Sequence, residues 1–333
     1  MLARDHVMLY YIIGDQMSRL LTTVSAITVI AGTYVNADVP KVIADIAPIH
    51  SLVSRVMDGV GEPKLIVPNE TSPHDYRLRP ADAQAIEDAN LVFWMGEGLT
   101  PWMERALEAL NSDTDIVEFL ALEESTRLSF REGALFEAHD ARDDHDDHDD
   151  HDDHDDHAGH DHGEFDPHAW LSTSNAKTWV NVIAAKLSSI DPNNAGTYFA
   201  NASEARNEMD ALDDEINAML APVRGGKFIV FHDAYQYFES VYDFPASGAI
   251  SLGDASDPSA ARIAEIADRI KRENIDCVLS EPQFNAGLVK TVMGGTDANT
   301  QVIDPLGFGI EPGSSLYPKL IRAMAQSLVD CLK

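Results

Sequence analysis

The chain has 333 residues, of which 44% are hydrophobic, and it carries a formal net charge of −32. This length allows two domains, or one large domain, with a sizeable core. The acidic charge excludes binding to the phosphate backbones of nucleic acids, because like charges repel.

The first predicted element is a secretory signal peptide that starts at Met17. Arg19 provides a short basic start, residues 20–32 form an apolar run, and Ala37 ends a small-residue cleavage motif. The apolar run is too short for a comfortable transmembrane helix, and the alternative is a buried helix. We expect residues 1–37 to comprise an upstream extension before the real start at Met17 and a signal peptide that is removed on export.

Strands and helices alternate in the first half of the mature chain. This alternation predicts an α/β fold with a mainly parallel sheet flanked by helices. We expect an N-terminal lobe over residues 38–190. Its strands are predicted at residues 41–45, 64–67, 90–95 and 115–118, and its helices at residues 49–60, 79–89, 101–110 and 174–189.

Residues 143–157 repeat the triplet Asp-Asp-His five times, within an acidic segment at about residues 139–164. A three-residue period fits neither a helix nor a strand. Dense like charge without apolar residues also cannot bury enough surface to fold, so we predict a disordered loop. The loop is either an auxiliary set of weak metal sites or a solvated spacer. Its histidines are His139, His145, His148, His151, His154, His157, His160 and His162.

One long predicted helix separates the two halves of the chain. Residues 195–220 give an amphipathic pattern about 39 Å long, so residues 191–224 are predicted to join two lobes through a rigid helix that limits their motion. The C-terminal lobe is expected over residues 225–333. Its strands are predicted at residues 227–231, 276–279 and 301–303, and its helices at residues 234–242, 259–273, 284–293 and 317–332.

The chain has two cysteines, Cys277 in a predicted strand and Cys331 in the last predicted helix. An even pair in an exported protein predicts a disulfide, which would join the terminal helix to the sheet. The alternative is a pair of buried thiols.

Four candidate metal ligands lie in predicted loops outside the acidic segment. His74 and His232 follow strands, Asp304 follows the strand at residues 301–303, and His168 precedes a helix. Ligands in open α/β sheets bind beyond the carboxyl ends of strands, and a set of three imidazoles and a carboxylate suits Zn²⁺. Spacing alone leaves a joint site open.

Several motifs carry a resemblance to a known family. They are PIHSLVSRVMDG, SPHDYRLRPAD, FDPHAWLS, FHDAYQYFE, EPQFN and DPLG, in that order. From about residue 41 to the end, the chain resembles the solute-binding proteins of zinc ABC transporters, in the cluster A-I metal-binding family that includes manganese-binding relatives. The resemblance implies a monomeric periplasmic protein, not an enzyme, that captures Zn²⁺ in an inter-lobe cleft. It also implies delivery to a membrane permease driven by a cytoplasmic ATPase.

The resemblance further implies that His74, His168, His232 and Asp304 coordinate one tightly bound metal ion. Manganese relatives typically have a carboxylate at the position of His232, so imidazole there favours Zn²⁺. Some zinc members have Glu where this chain has Pro73, so either Asp304 or water has to fill the fourth position.

Other family features concern residues around the metal. Asp75 and Glu281 are possible partners that orient the imidazoles, or they are structural. Zinc members often pair cysteines at the positions of Cys277 and Cys331, and the family carries a His-rich loop before the second ligand motif. His50 is expected in a core or capping role.

Three other functions stay open as alternatives: a manganese-binding transporter component, a periplasmic zinc buffer or chaperone, and a zinc hydrolase. The hydrolase is the weakest, because no HExxH motif occurs and four protein ligands would close the coordination sphere.

Overall fold

Two four-stranded parallel sheets flanked by helices form the centre of the structure, as the strand and helix alternation predicts. The structure is a computed structural model. It describes residues 39–109, 114–131, 136, 165–251, 258–284 and 286–333. The predicted signal peptide and the Asp-Asp-His repeat lie outside the described residues.

The first sheet is built from the N-terminal half of the described chain. Its strands are β1 (Val42–Ala44), β2 (Lys64–Leu65), β3 (Leu91–Trp94) and β4 (Asp115–Glu118), in the order β2-β1-β3-β4. Its helices are α1 (Ala47–Val56), α2 (Pro80–Glu87) and α3 (Pro101–Glu108). Each helix has a proline in its first turn, where the missing N–H group costs no hydrogen bond.

Two long helices follow the first sheet. Helix α4 (Thr173–Ile190) is capped by Ser172, whose side chain accepts a hydrogen bond from the backbone N–H of Asn175. Helix α5 (Ala195–Leu220) has 26 residues and packs against α4 and α1. The long predicted helix at residues 195–220 is therefore confirmed. Its buried face consists of Tyr198, Ala202, Ala205, Met209, Leu212, Ile216 and Leu220.

The second sheet has the same topology as the first. Its strands are β5 (Phe228–His232), β6 (Ala249–Ser251), β7 (Cys277–Ser280) and β8 (Asn299–Val302), in the order β6-β5-β7-β8. Its helices are α6 (Gln236–Tyr242), α7 (Ala260–Glu273), α8 (Ala286–Val292) and α9 (Leu316–Leu332). All neighbouring strands run parallel, so their carboxyl ends meet at one edge.

Strand β6 is absent from the predicted elements. It has only three residues, Ala-Ile-Ser, and such a short run gives no detectable alternation. Pairing with β5 forms the strand, because Val230 and His232 lie opposite Ala249 and Ser251. The predicted strand at residues 64–67 is likewise reduced to Lys64–Leu65.

One hydrophobic core includes residues from both sheets. Phe93 of β3, Trp179 of α4, Phe228 of β5 and Met324 of α9 all belong to it. A second cluster, with Ile229 and other residues, lies between the second sheet and helices α7 and α8. Among the described residues, no helix combines the length and apolarity that crossing a bilayer requires.

The predicted disulfide is confirmed. Cys277, the first residue of β7, is bonded to Cys331 in α9. The side-chain amide of Asn299 in β8 also donates a hydrogen bond to the carbonyl oxygen of Cys331, at 2.9 Å. The terminal helix is thereby attached to two neighbouring strands of the second sheet.

Candidate metal site

The carboxyl ends of three neighbouring strands carry polar side chains. His232 is the last residue of β5, Glu281 directly follows β7, and Asp304 lies two residues beyond β8. These strands are adjacent in the second sheet, so the three residues lie at the same edge. This is the edge at which ligands bind in open α/β sheets.

His168 lies on the other side of the site, immediately before a 3₁₀ turn at Ala169–Leu171. Its backbone N–H donates to Oδ1 of Asp166 at 2.9 Å, and its Nδ1 lies 2.7 Å from the same oxygen. A hydrogen bond from Nδ1–H to this carboxylate would leave the lone pair of Nε2 available to a metal ion. The Asp-Pro-His spacing therefore produces an oriented imidazole.

His232 has a matching arrangement from a different part of the chain. Its Nδ1 lies 2.7 Å from Oε1 of Glu281, and both residues are buried. A hydrogen bond from Nδ1–H to Glu281 would leave Nε2 able to bind a metal ion. Hydrogen bonds of this kind orient metal-binding histidines and make them more basic.

The distance between these two histidines is that expected for a zinc site. Nε2 of His168 and Nε2 of His232 are 3.4 Å apart. Two nitrogens bound to tetrahedral Zn²⁺ at about 2.0–2.1 Å are about 3.4 Å from each other. The structure therefore holds two imidazole nitrogens at the spacing of two zinc ligands.

His74 completes a group of three histidines around a small cavity. Its ring centroid lies 5.9 Å from that of His168, and its Nε2 is buried from solvent. The loop that carries His74 is held by Trp102, whose Nε1–H donates to the carbonyl oxygen of Pro73 at 2.9 Å. The cavity has a volume of about 10 Å³, close to that of one water molecule.

Polar and apolar side chains share the wall of this cavity. It is lined by Ser72, Pro73, His74, His168, Trp170, His232, Glu281, Gln283, Phe284, Pro305 and Leu306. The rings of Trp170 and Phe284 lie 5.2 and 5.3 Å from those of His168 and His232, measured between centroids. Such walls limit water access and strengthen electrostatic interactions inside the cavity.

Asp304 does not line the cavity. Its Oδ1 accepts hydrogen bonds from the backbone N–H of Leu306 at 3.0 Å and from Nε2 of Gln283 at 3.2 Å. In the described part of the chain, no group of three or more His, Cys, Asp or Glu side chains is arranged to hold a metal ion. Coordination by all four predicted ligands therefore requires side chains to move.

The remaining predicted residues are distributed as follows. Glu281 lies against His232, whereas Asp75 is exposed. His50 is buried in α1, where its Nε2–H donates to the carbonyl oxygen of Pro63 at 3.0 Å. Burial lowers the pKa of His50. The histidines of the predicted auxiliary loop lie outside the described residues.

A buried charge cluster next to His232 was not predicted from the sequence. Arg131 forms ion pairs with Asp233 and Glu239, whose side chains are 5% and 6% exposed. Burial raises the pKa of both carboxyls, and the neighbouring guanidinium opposes that effect. The sequence gives no signal for this cluster, because Arg131 is separated from Asp233 by 102 positions.

Comparisons with known proteins give a family match and named relatives. The model of a family described as "ZnuA: Zinc-uptake complex component A periplasmic" matches residues 42–331. A relative from Brucella abortus (strain 2308), named "High-affinity zinc uptake system protein ZnuA", is 45% identical over 304 residues. The match covers 87% of this chain and 91% of the relative.

A second relative and a solved structure extend the comparison. The protein of the same name from Paracoccus denitrificans (strain Pd 1222) is 42% identical over 302 residues, which cover 89% of this chain and 93% of the relative. A structure titled "Crystal structure of ZnuA" has a TM-score of 0.70 and 24% identity, covering 89% of this chain and 100% of that chain. The structural likeness concerns the fold, and the family match and the two relatives concern the sequence. The chain therefore belongs to the ZnuA family of periplasmic zinc-uptake complex components.

Proposed function

We propose that this protein captures Zn²⁺ in the periplasm and delivers it to an ABC permease that is driven by a cytoplasmic ATPase. Zinc is the cargo of this process rather than a resident cofactor. The observation that carries the proposal is the pair of carboxylate-oriented imidazoles with Nε2 atoms 3.4 Å apart. Family membership supports the transport role.

His74, His168 and His232 are the proposed protein ligands of the tight site. Three borderline nitrogen ligands favour Zn²⁺ over the harder Mn²⁺, which prefers oxygen. Asp304 is the proposed fourth ligand, after it gives up its hydrogen bond with Gln283. Water would fill the position otherwise, so an Asp304→Asn variant distinguishes the two cases by the size of its affinity loss.

Export and partner docking belong to the same proposal. Cleavage near Ala37 would release the mature chain into the periplasm, where it acts as a monomer. The histidines at positions 139–162 are proposed to add weak zinc sites that raise the local metal concentration. Deletion of residues 139–162 is then expected to remove several weak sites, keep one tight site and slow growth on zinc-poor medium. Unchanged growth and uptake would make the segment a spacer.

The tight site is tested by zinc titration of the mature protein against a competing chelator. We expect His74→Ala, His168→Ala and His232→Ala each to weaken binding by about a hundredfold or more, because a four-ligand zinc site is worth about 10–16 kcal/mol. His50→Ala is the matched control, since it removes a buried imidazole outside the cavity. If His168→Ala kept tight binding, the proposed site would be wrong.

Three further assays separate the proposed function from its alternatives. Manganese should fail to displace zinc at equal concentration; displacement would favour a manganese transporter component. Zinc-dependent hydrolysis of esters or peptides would contradict the transport role. Zinc uptake by cells that lack the permease would favour a buffer or chaperone.

A further inference from the structure

Two backbone segments of the first half of the chain lie side by side next to the site. Ser129 and Phe165 form an antiparallel bridge, and the N–H of Asp166 donates to the carbonyl oxygen of Leu128 at 2.8 Å. The second segment continues directly to His168. The backbone around residue 129 is therefore fixed relative to one of the proposed zinc ligands.

Side chains of α6 reach across to these segments. Nε2 of Gln236 donates to Oδ2 of Asp166 at 2.7 Å and to the carbonyl oxygen of Ser129 at 3.0 Å. The hydroxyl of Tyr237 donates to the carbonyl oxygen of Asp166 at 2.8 Å and accepts from the N–H of Leu128 at 2.9 Å. Asp166 thus contacts both His168 and the helix that follows His232.

Arg131 makes the charged part of the same connection. Its Nε lies 2.9 and 3.0 Å from the two carboxylate oxygens of Asp233, and Nη2 also pairs with this carboxylate. Nη1 and Nη2 donate to the two oxygens of Glu239 at 2.8 and 3.0 Å. The guanidinium lies 3.5 Å from the ring centroid of Phe136, so every nitrogen and one face of Arg131 are engaged.

We propose that Arg131 is a positioning residue for zinc capture. With Gln236 and Tyr237, it joins the segment that carries His168 to the one that carries His232. This proposal rests on the proposed function. Together, these contacts of Arg131, Gln236 and Tyr237 hold the Nε2 atoms of the two histidines 3.4 Å apart.

The two carboxylates paired with Arg131 explain why its removal should displace a proposed zinc ligand. Asp233 is the residue after His232, and it is buried along with Glu239. Removal of the only cation in this cluster of described residues would leave two buried carboxylates without charge compensation, so the β5–α6 connection would have to move toward water. Metal ligands need placement within about 0.5 Å, and changes to residues that orient them typically cost about 10–100-fold in affinity.

The test compares Arg131→Gln with Arg131→Lys and with a matched control, Arg55→Gln. Arg55 also pairs with two carboxylates, Glu204 and Glu208, but it does not line the cavity. Zinc affinity is measured by chelator competition, and zinc dissociation is measured by stopped flow. All variants are compared at a temperature at which circular dichroism shows each of them folded.

We expect Arg131→Gln to weaken zinc binding about 10–100-fold, mainly through faster dissociation, and Arg131→Lys to restore part of the affinity. Arg55→Gln should keep zinc affinity within about twofold even where it lowers the melting temperature. If Arg131→Gln does not fold, Tyr237→Phe decides, with an expected loss of at least about fivefold, because the hydroxyl makes two hydrogen bonds to these segments.

Two results would overturn the proposal: affinity of the folded Arg131→Gln or Tyr237→Phe variant within about twofold of the parent, or an equal loss in Arg55→Gln. Failure of the proposed site itself is distinguishable. In that case His168→Ala would also retain tight binding.

Discussion

Removing the Cys277–Cys331 disulfide should lower the free energy of unfolding without changing zinc binding. The bond closes a loop with a sequence separation of 54 residues. Loop-closure entropy for this length gives a stabilisation of about 4 kcal/mol at 25 °C. Both positions are buried, so Cys277→Ala combined with Cys331→Ala avoids placing unpaired hydroxyl groups in the core.

The proposed zinc site should be unaffected because of where the disulfide lies. Cys277 begins β7, whereas Glu281 follows the opposite end of that strand and contacts His232. The strand itself is also paired on both sides, with β5 and with β8. We therefore expect the double variant to bind zinc within about threefold of the parent.

Urea unfolding followed by tryptophan fluorescence measures the stability change. A chelator is required throughout, because bound zinc would add its own stabilisation. Addition of reductant to the parent should reproduce the loss, and addition to the double variant should change nothing. A loss below about 1 kcal/mol would refute the loop-entropy reasoning, and a large loss of zinc affinity would refute the separation of the two regions.

The remaining predictions concern a buried acid, a buried hydroxyl and a partner of the metal site. Burial raises the pKa of Asp45 to about 7, so its contribution to stability is present at acid pH and is lost as pH rises toward 7. Between pH 5 and 7 the unfolding free energy should fall by about 2 kcal/mol through this group, and Asp45→Asn should remove that slope in urea unfolding. Ser125 donates to a backbone carbonyl and accepts from the indole N–H of Trp179, so Ser125→Ala should cost about 1–3 kcal/mol in the same assay. Glu281→Gln removes the charge that orients His232 and should weaken zinc binding about 10–100-fold in chelator competition.

Each of these predictions has a defined contrary result. A pH slope that survives Asp45→Asn would assign the titration to another group. Unchanged stability of Ser125→Ala would mean that water satisfies the indole. Full zinc affinity in Glu281→Gln would mean that the hydrogen bond, rather than the negative charge, orients the imidazole.

The sequence predicts the central strands well because they are short apolar runs between amphipathic helices. Strand β6 escapes prediction because only its pairing with β5 makes it a strand. The sequence likewise predicts only part of the arrangement around the cavity, because contacts between distant segments determine the rest. Loop positions and the resemblance predict His74, His168 and His232 as ligands. The structure brings these side chains to one cavity, and their role as ligands stays a prediction.

The contacts of Asp304 and Arg131 could not be predicted from the sequence. Asp304 lies just beyond the carboxyl end of β8, but its side chain accepts a hydrogen bond from Gln283 instead of lining the cavity. Arg131 meets Asp233 only because loops from the two halves pack together. Contacts between residues far apart in the chain depend on how the two sheets pack, and that packing cannot be predicted directly from a single sequence.

The hydrophobic core shared by both sheets has a consequence for how the protein can be divided. Phe93 from the first sheet and Phe228 from the second belong to the same buried cluster. Trp179, which precedes Phe228 in the chain, and Met324, which follows it, belong to this cluster as well. A cut between residues 224 and 225 would expose one face of this cluster on each piece. We therefore expect the two halves to unfold as a single cooperative unit, and neither fragment to refold without its complement.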